Sequence, residues 1–245
     1  MGAPHASDPE SGNIDGGFPP SKRHRQALSA WNGHAPIDPG HRRGEIHRMK
    51  LSDVRFVFDY VDPGSYLLRQ VLVRAGEARA TPHPFELRPP PEPVIDPGDP
   101  RWVALYGAMK TEAKALGVPL ERPTFVPWSR KAHELALQAG EKGCFEAVHE
   151  ALFRAYFEEG LDIGRVDVLV GIGVEHGLDA SETRAALDVD RQREALEQQR
   201  AVALDWAIRG VPTLLLRDGR RLEGFHDLDA VQAFLGGPQG EGAAG

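Results

Sequence analysis

The sequence of 245 residues predicts an α/β fold, in which a βαβ unit and a ββα unit form one sheet beside a helical block. The first observation is an apolar, β-branched and aromatic run at 54–60 that leads directly into a helical pattern. The second is a series of amphipathic patterns that fills residues 101–209. The third is a pair of short strand patterns, joined by Asp218-Gly219, that precedes a last helix.

The first unit consists of a strand, a helix, a second strand and a loop. "VRFVFDY" (54–60) has the composition of a buried strand. "SYLLRQVLVRAG" (65–76) has helical spacing and ends in Gly76, a residue that suits the position after a helix. "ARATPHPFEL" (78–87) predicts a strand whose prolines favour an edge or an irregular end. The proline-rich stretch 88–100 predicts a loop.

The middle of the chain predicts six helices. Ser129 is expected to cap the second of them, because serine favours the N-cap position. The predicted helices are 101–117, 129–143, 144–160, 165–177, 181–188 and 190–210. Since these patterns are amphipathic, we expect the helices to pack together and to cover the sheet.

The last unit predicts a hairpin and a helix. "PTLLLRD" (212–218) and "RRLEGF" (220–225) have strand composition, and the Asp-Gly dipeptide between them is a hairpin signal. "DLDAVQAFLGG" (227–237) predicts the closing helix, with Asp227 as its N-cap.

These elements predict the domain organisation. Residues 1–50 are rich in Gly, Pro, Ser and His without apolar periodicity, so we predict a disordered N-terminal extension. Residues 53–100 and 210–236 are predicted to form one sheet-containing domain, into which the helices of 101–209 are inserted. Residues 237–245 are Gly-rich and predict a flexible tail.

Composition limits the classes of partner. The formal charge of −7 argues against nucleic acid or an anionic membrane as the main partner. No apolar run approaches the ~20 residues that span a bilayer. Residues 1–48 lack the apolar core of a secretory signal, and Met49 offers an alternative start, so we expect a cytoplasmic protein.

Cys144 is the single cysteine of the chain. The sequence therefore contains no CxxC pair and forms no intramolecular disulfide. We expect Cys144 to be a small buried residue near a helix start, since free cysteines are usually buried. No zinc-protease, phosphate-loop or serine-hydrolase motif appears, and no metal site is predicted.

Three motifs carry a resemblance to a known family. They are "FDYVDPGSYL" (58–67), "HEALFRAYFEEGLDI" (149–163) and "RGVPTLLL" (209–216). Together they resemble the thioredoxin fold with the helical insertion of the DsbA-like family, over about residues 53–236. The first motif is similar to the active turn of FrnE-type oxidoreductases, and also to that of 2-hydroxychromene-2-carboxylate isomerases and kappa-class glutathione transferases.

The resemblance implies roles for the turn Asp62-Pro63-Gly64-Ser65. Asp62 takes the place of the first cysteine of the oxidoreductases or of the serine in the isomerases and transferases, and Ser65 takes the second position. Pro63 matches the family proline, whereas Gly64 departs from the usual aromatic residue.

The resemblance also implies a second element of the site, a loop that faces this turn. "RGVPTLLL" resembles the cis-proline loop, so the resemblance implies a cis bond between Val211 and Pro212. The backbone before such a proline forms an edge that pairs with an extended peptide or with glutathione. The resemblance therefore implies a small thiol or extended peptide as partner, glutathione as the one candidate cofactor, and nothing covalently bound. The oligomeric state stays open.

Thiol–disulfide exchange requires one thiolate to attack and a second thiol to resolve the mixed disulfide. Asp62 and Ser65 supply neither. One interpretation is that Asp62 only caps the helix, an effect of ~1 kcal/mol. The alternative is that the helix start, with Ser65 as hydrogen-bond donor, binds a thiol.

Three functional hypotheses follow. The first is a DsbA-like protein, related to oxidoreductases, that lacks dithiol turnover. The second is a glutathione-dependent isomerase or transferase that uses Ser65 and the cis-proline loop. The third is a non-catalytic module that binds extended peptides or small thiols.

Overall fold

The computed structural model describes residues 54–76 and 80–236. The predictions of a disordered extension at 1–50 and of a flexible tail at 237–245 lie outside the described residues. The element order within them is a βαβ unit, a run of helices and a ββα unit, so the predicted α/β thioredoxin fold of DsbA-like type is confirmed.

The sheet has four strands in the order β2-β1-β3-β4. Strand β1 pairs in parallel with β2 and antiparallel with β3, and β3 pairs antiparallel with β4. Its strands are β1 (Val54–Phe58), β2 (Thr81–Pro84), β3 (Thr213–Leu216) and β4 (Arg221–Glu223). The prolines of β2 are tolerated because β2 lies at the edge of the sheet, as the sequence predicts.

The described helices are numbered in chain order. They are α1 (Pro63–Arg74), α2 (Pro100–Leu116), α3 (Arg130–Glu141), α4 (Phe145–Phe157), α5 (Val166–Glu175), α6 (Ala180–Asp188), α7 (Arg193–Asp205) and α8 (Leu228–Gly236). The helices α2 to α7 correspond to the six that the sequence predicts between 101 and 209, and α8 is the predicted closing helix.

Helix α1 begins two residues before the predicted stretch 65–76 and ends at Arg74, ahead of Gly76. The side chain of Asp62 accepts a hydrogen bond from Ser65 N, and Pro63 occupies the first turn, where its missing N–H costs nothing. Gly76 follows the helix with a φ of 80°, a conformation that glycine adopts without strain. The apolar face of α1, which includes Leu67, Leu68 and Val71, is fully buried.

An aromatic cluster joins the sheet to the inserted helices. The ring of Phe58 in β1 lies 5.9 Å from Phe153 and 4.8 Å from His149, both in α4. Tyr66 of α1 stacks on Phe157 at 5.0 Å. Helix α4 therefore packs against both the end of β1 and the first helix, which fixes the position of the turn between them.

Two predictions about the helices are wrong in detail. Ser129 occupies the N-cap position of α3, but its φ and ψ of −80° and −5° are helical, and its side chain makes no capping bond. Helix α7 is shorter than the predicted 190–210, since Asp190 and Ala207 have φ values of 52° and 61°. A left-handed residue interrupts a right-handed helix, so α7 is confined between these two positions.

A buried ion pair links the segment after β2 to α3. Arg130 Nε and Nη2 donate to the two oxygens of Glu86 at 3.0 and 3.1 Å, and both residues are buried. We predict that Glu86→Leu lowers the free energy of unfolding by about 3 kcal/mol or more, because it leaves the Arg130 guanidinium buried without its main partner. Urea denaturation measures this loss.

The control is Glu197→Leu, which removes the exposed second carboxylate 3.7 Å from Arg130 and should change the midpoint little. The double variant Glu86→Leu with Arg130→Met should recover most of the lost stability. Equal losses for Glu86→Leu and Glu197→Leu would contradict the assignment.

Candidate functional site

The turn between β1 and α1 brings two predicted site residues into direct contact. Asp62 Oδ2 accepts hydrogen bonds from Ser65 N at 2.6 Å and from Ser65 Oγ at 2.7 Å. Asp62 is only 4% exposed, and Pro63 beside it is buried. A carboxyl group therefore occupies the start of a helix, where free N–H groups and the helix dipole favour an anion.

The loop around Pro212 lies against this turn. The Val211–Pro212 peptide bond is cis. A Cβ atom built on Gly64 would lie 2.9 Å from Pro212 Cδ and 3.2 Å from Asp62 Oδ2, closer than side chains normally pack. Glycine at position 64 therefore allows the turn and the proline ring to touch.

The hydroxyl of Ser65 is used entirely within the protein. It donates to Asp62 Oδ2 and accepts from Asp59 N at 3.3 Å, and the residue is fully buried. An incoming ligand meets Ser65 only if this residue leaves Asp62. The geometry thus favours Ser65 as the group that orients Asp62.

Burial shifts the acidity of Asp62. The pKa of its carboxyl is raised to about 7, mainly by desolvation and also by the nearby Asp59, while the two hydrogen bonds from Ser65 oppose the shift. Asp62 consequently exchanges a proton near neutral pH. A carboxylic acid of this kind donates a hydrogen bond when protonated and acts as a base when ionised.

Two buried residues, Asp59 and His133, lie behind the turn and support it. Asp59 Oδ2 accepts from Leu87 N at 2.7 Å, and Asp59 Oδ1 lies 3.2 Å from His133 Nε2 of α3. Both side chains are fully buried. The sequence motifs do not mark Asp59 as a site residue; its one signal is an acid placed near the end of the apolar run "VRFVFDY". Asp59 thus connects β1, the segment after β2 and α3 directly behind the site.

A second buried histidine lies nearby but does not reach the turn. His149 Nδ1 is 2.8 Å from the hydroxyl of Tyr60, and burial lowers the pKa of His149 well below its usual value. His149 is therefore neutral at physiological pH and packs among aromatic rings, where it acts as a core residue.

An open groove of about 460 Å³ reaches Asp62. Its residues come from the segment after β2, from α2 and from the loop before Pro212. Apolar side chains, among them Trp102 and Leu105, form part of the wall. Three arginines contribute to it, namely Arg88, Arg101 and Arg209, against the carboxyl groups of Asp62 and Asp99. The groove therefore favours a ligand that combines an apolar part with negative charge.

The remaining candidate residues do not join this site. Cys144 is half-buried at the start of α4, away from the residues that line the groove. Within residues 54–76 and 80–236, no three His, Cys, Asp or Glu side chains lie close enough to hold a metal ion. No helix of this part of the chain is long and apolar enough to cross a membrane.

The raised pKa of Asp62 predicts a pH-dependent stability. The folded state binds this proton more tightly than the unfolded chain, whose Asp has a value near 3.8. Stability contributed by Asp62 is therefore full below the unfolded pKa and is lost as pH rises towards about 7. We compare the free energy of unfolding of the wild type with that of Asp62→Asn at each pH, by urea denaturation. The difference between the two proteins should fall by about 4 kcal/mol from pH 4 to pH 8, to the disadvantage of the wild type.

A matched control is Asp179→Asn. Asp179 caps α6 with the same kind of bond, to Glu182 N at 2.8 Å, but it is exposed. Because this side chain is exposed to water, Asp179→Asn should not reproduce the loss of stability that burial causes at Asp62. If Asp62→Asn and Asp179→Asn behave alike, the burial argument for Asp62 fails.

Comparisons with known proteins agree with this architecture. The model of the family described as "DSBA-like thioredoxin domain" matches residues 53–236. The chain is 29% identical over 176 residues to the uncharacterized protein YwbO of Bacillus subtilis, which covers 67% of this chain and 86% of that protein.

Several solved structures share the fold. A probable DsbA oxidoreductase of Streptomyces coelicolor is 21% identical and superposes with a TM-score of 0.63, covering 73% of this chain and 86% of that one. A 2-hydroxychromene-2-carboxylate isomerase is 21% identical with a TM-score of 0.60, covering 70% and 88%. The cytosolic disulfide reductase DsbM of Pseudomonas aeruginosa, solved with GSH, is 21% identical with a TM-score of 0.56, covering 74% and 96%. From its sequence motifs, its sheet and these matches, the chain belongs to the DSBA-like thioredoxin domain family.

Proposed function

We propose that this chain binds a small anionic thiol of the glutathione class in the groove at Asp62, without dithiol redox turnover. One observation carries the proposal: where redox-active relatives have two cysteines, this chain has a carboxyl and a hydroxyl bonded to each other at 2.7 Å. The site has a helix start in contact with the cis-proline Pro212, and its reactive group is the weak acid Asp62.

The lack of a cysteine pair supports the proposal that this chain has no dithiol redox turnover. Cys144 is the only cysteine in the sequence, and it lies outside the turn. Neither Asp62 nor Ser65 forms or resolves a mixed disulfide. A complete cycle of disulfide exchange therefore needs sulfur that this chain does not provide.

The shape and charge of the groove support a small ligand. A volume of about 460 Å³ is in the range of small-molecule sites. Glutathione is an anion at neutral pH, which suits Arg88, Arg101 and Arg209. A cytoplasmic location stays a prediction and would place the chain with the glutathione pool.

Asp62 would control how the thiol binds. In its protonated form, Asp62 donates a hydrogen bond to the sulfur, whereas the ionised form repels a thiolate. Ser65 would hold Asp62 in position by donating to Oδ2 and would not touch the sulfur. This assignment differs from the interpretation in which Ser65 itself contacts the ligand.

Glutathione-dependent isomerase or transferase activity is the second candidate function. The observation in its favour is the pKa of about 7 for Asp62, which suits proton transfer at neutral pH. In this reaction class Asp62 would move a proton on a substrate held next to the bound thiol. The fold likeness to 2-hydroxychromene-2-carboxylate isomerase makes that class the first to assay.

Calorimetric titration with glutathione tests the binding proposal. We expect affinity at pH 5.5 to exceed that at pH 7.5 by about three- to fivefold, because more Asp62 is protonated at the lower pH. Asp62→Asn should remove this pH dependence. Asp99→Asn, on the same groove, should retain it, since Arg101 holds the pKa of Asp99 below its usual value. No heat of binding at millimolar glutathione would overturn the proposal.

Insulin-disulfide reduction tests the absence of dithiol turnover. The wild type should show no turnover above background. The variant Asp62→Cys with Ser65→Cys, made in a Cys144→Ala background, should form an intramolecular disulfide, because the two side chains already meet at 2.7 Å. Thiol titration before and after oxidation measures it, with the single Asp62→Cys variant as control. Two thiols that stay reduced under oxidant would refute the placement of this turn.

A further inference from the structure

A second, larger cavity of about 800 Å³ opens at the start of α3. The loop between β2 and α2 contributes to both cavities. Arg88 and Ile95 line the Asp62 groove, whereas Pro91 and Val94 line this one. The cavity at the start of α3 is thus a separate site, and it plays no part in the thiol-binding proposal.

One wall of this cavity is an exposed aromatic surface. Trp128 is 43% exposed and Val94 is 46% exposed, and they are two of the seven exposed large apolar residues in the described part of the chain. Trp128 Nε1 donates to Glu92 O at 2.9 Å, which fixes the orientation of the indole ring. A fixed, exposed ring beside a proline-lined wall is suited to stacking with a flat apolar ligand.

The cavity also lies at the start of helix α3. This helix has twelve residues, and the side chain of its N-cap residue, Ser129, makes no capping hydrogen bond in the described part of the chain. Ser129 is 2% exposed, and its hydroxyl makes no hydrogen bond in the described part of the chain. Ser129 itself does not line the cavity, whereas its neighbours Trp128 and Arg130 do. The positive dipole end of α3 favours negative charge near Arg130 and Lys131, which line the cavity.

The charged residues around the cavity agree with an anionic ligand. Four cationic side chains line it, against two carboxylates; these are Arg130, Lys131, Arg165 and Arg193, with Asp162 and Asp190. Arg130 and Lys131 are held by Glu86 and Asp190. Arg165 and Arg193 form only exposed ion pairs, with Asp167 and Glu197, and exposed pairs rearrange readily.

We infer that this cavity binds a flat aromatic anion, whose ring lies against Trp128 and whose charged group lies among the cationic side chains of Lys131, Arg165 and Arg193. Gly164 shapes the floor, since a Cβ atom there would lie 2.8 Å from Pro127 Cβ. The expected ligand class is an aromatic carboxylate, sulfonate or phosphate. The size of the cavity admits one such molecule in addition to solvent.

Anilinonaphthalene sulfonate, an aromatic anion, is the probe that tests this inference. Fluorescence titration of the full chain should show a binding site whose affinity Trp128→Leu weakens about tenfold, by removing the stacking surface. Arg165→Gln should weaken it severalfold. Arg101→Gln, on the Asp62 groove, is the matched control and should leave the affinity unchanged. The uncharged N-phenylnaphthylamine should bind at least about tenfold more weakly.

An NMR titration of the wild type keeps the test independent of how the variants fold. The amide signals of Arg130 and Lys131 should shift on adding the probe, whereas that of Ser65 should not. Any of three results would overturn the inference: unchanged affinity in Trp128→Leu, loss of binding in Arg101→Gln, or equal affinity for the uncharged probe. Failure here leaves glutathione binding at Asp62 unaffected, since the two experiments probe separate cavities.

Discussion

The site depends on one hydrogen-bonded unit, the carboxyl of Asp62 with the N–H and hydroxyl of Ser65. The unit caps α1 at its first turn. Two opposing effects act on it. Helix donors stabilise a negative charge, whereas burial destabilises it, and burial prevails because the pKa is raised to about 7. The start of α1 therefore holds an ionisable group whose charge the helix favours and its burial opposes.

The buried polar residues behind the turn explain why it is rigid. Asp59 accepts a backbone N–H from Leu87 and lies 3.2 Å from His133, so it links three separate segments. Such a polar group would be costly in a core without these partners. The inserted helices are therefore part of the site's support: α3 supplies His133, and α4 packs on the ring of Phe58. Loss of either contact would loosen the end of β1.

Features determined by local sequence were predicted well. The order of strands and helices, the cap at Asp62 and the glycine after α1 follow from patterns within a few residues, and the structure confirms them. Features that depend on partners far away in the sequence were not predicted. The sequence did not show whether His133 and His149 were exposed, because their partners, Asp59 and Tyr60, lie 74 and 89 positions away.

Ser129 is the reverse case, in which the sequence predicts a contact that the structure does not contain. Its residue type favours an N-cap, but tertiary packing holds its backbone in a helical conformation, and the cap is lost. The pair of Glu86 and Arg130 was also invisible in the sequence, since 44 positions separate the two residues. Propensity thus identified the elements, whereas the polar contacts between elements required coordinates.

The replacement of sulfur by a carboxyl group is compatible with the fold for a physical reason. Aspartate is among the preferred N-cap residues and contributes ~1 kcal/mol there, so the change keeps α1 stable. Glycine at position 64 lets Pro212 lie against the turn. Asp62 is nearly buried at this helix start, and its burial raises the pKa of the carboxyl to about 7. The donors that hold a carboxyl group are therefore present at the start of α1, and burial turns that group into an acid that titrates at neutral pH.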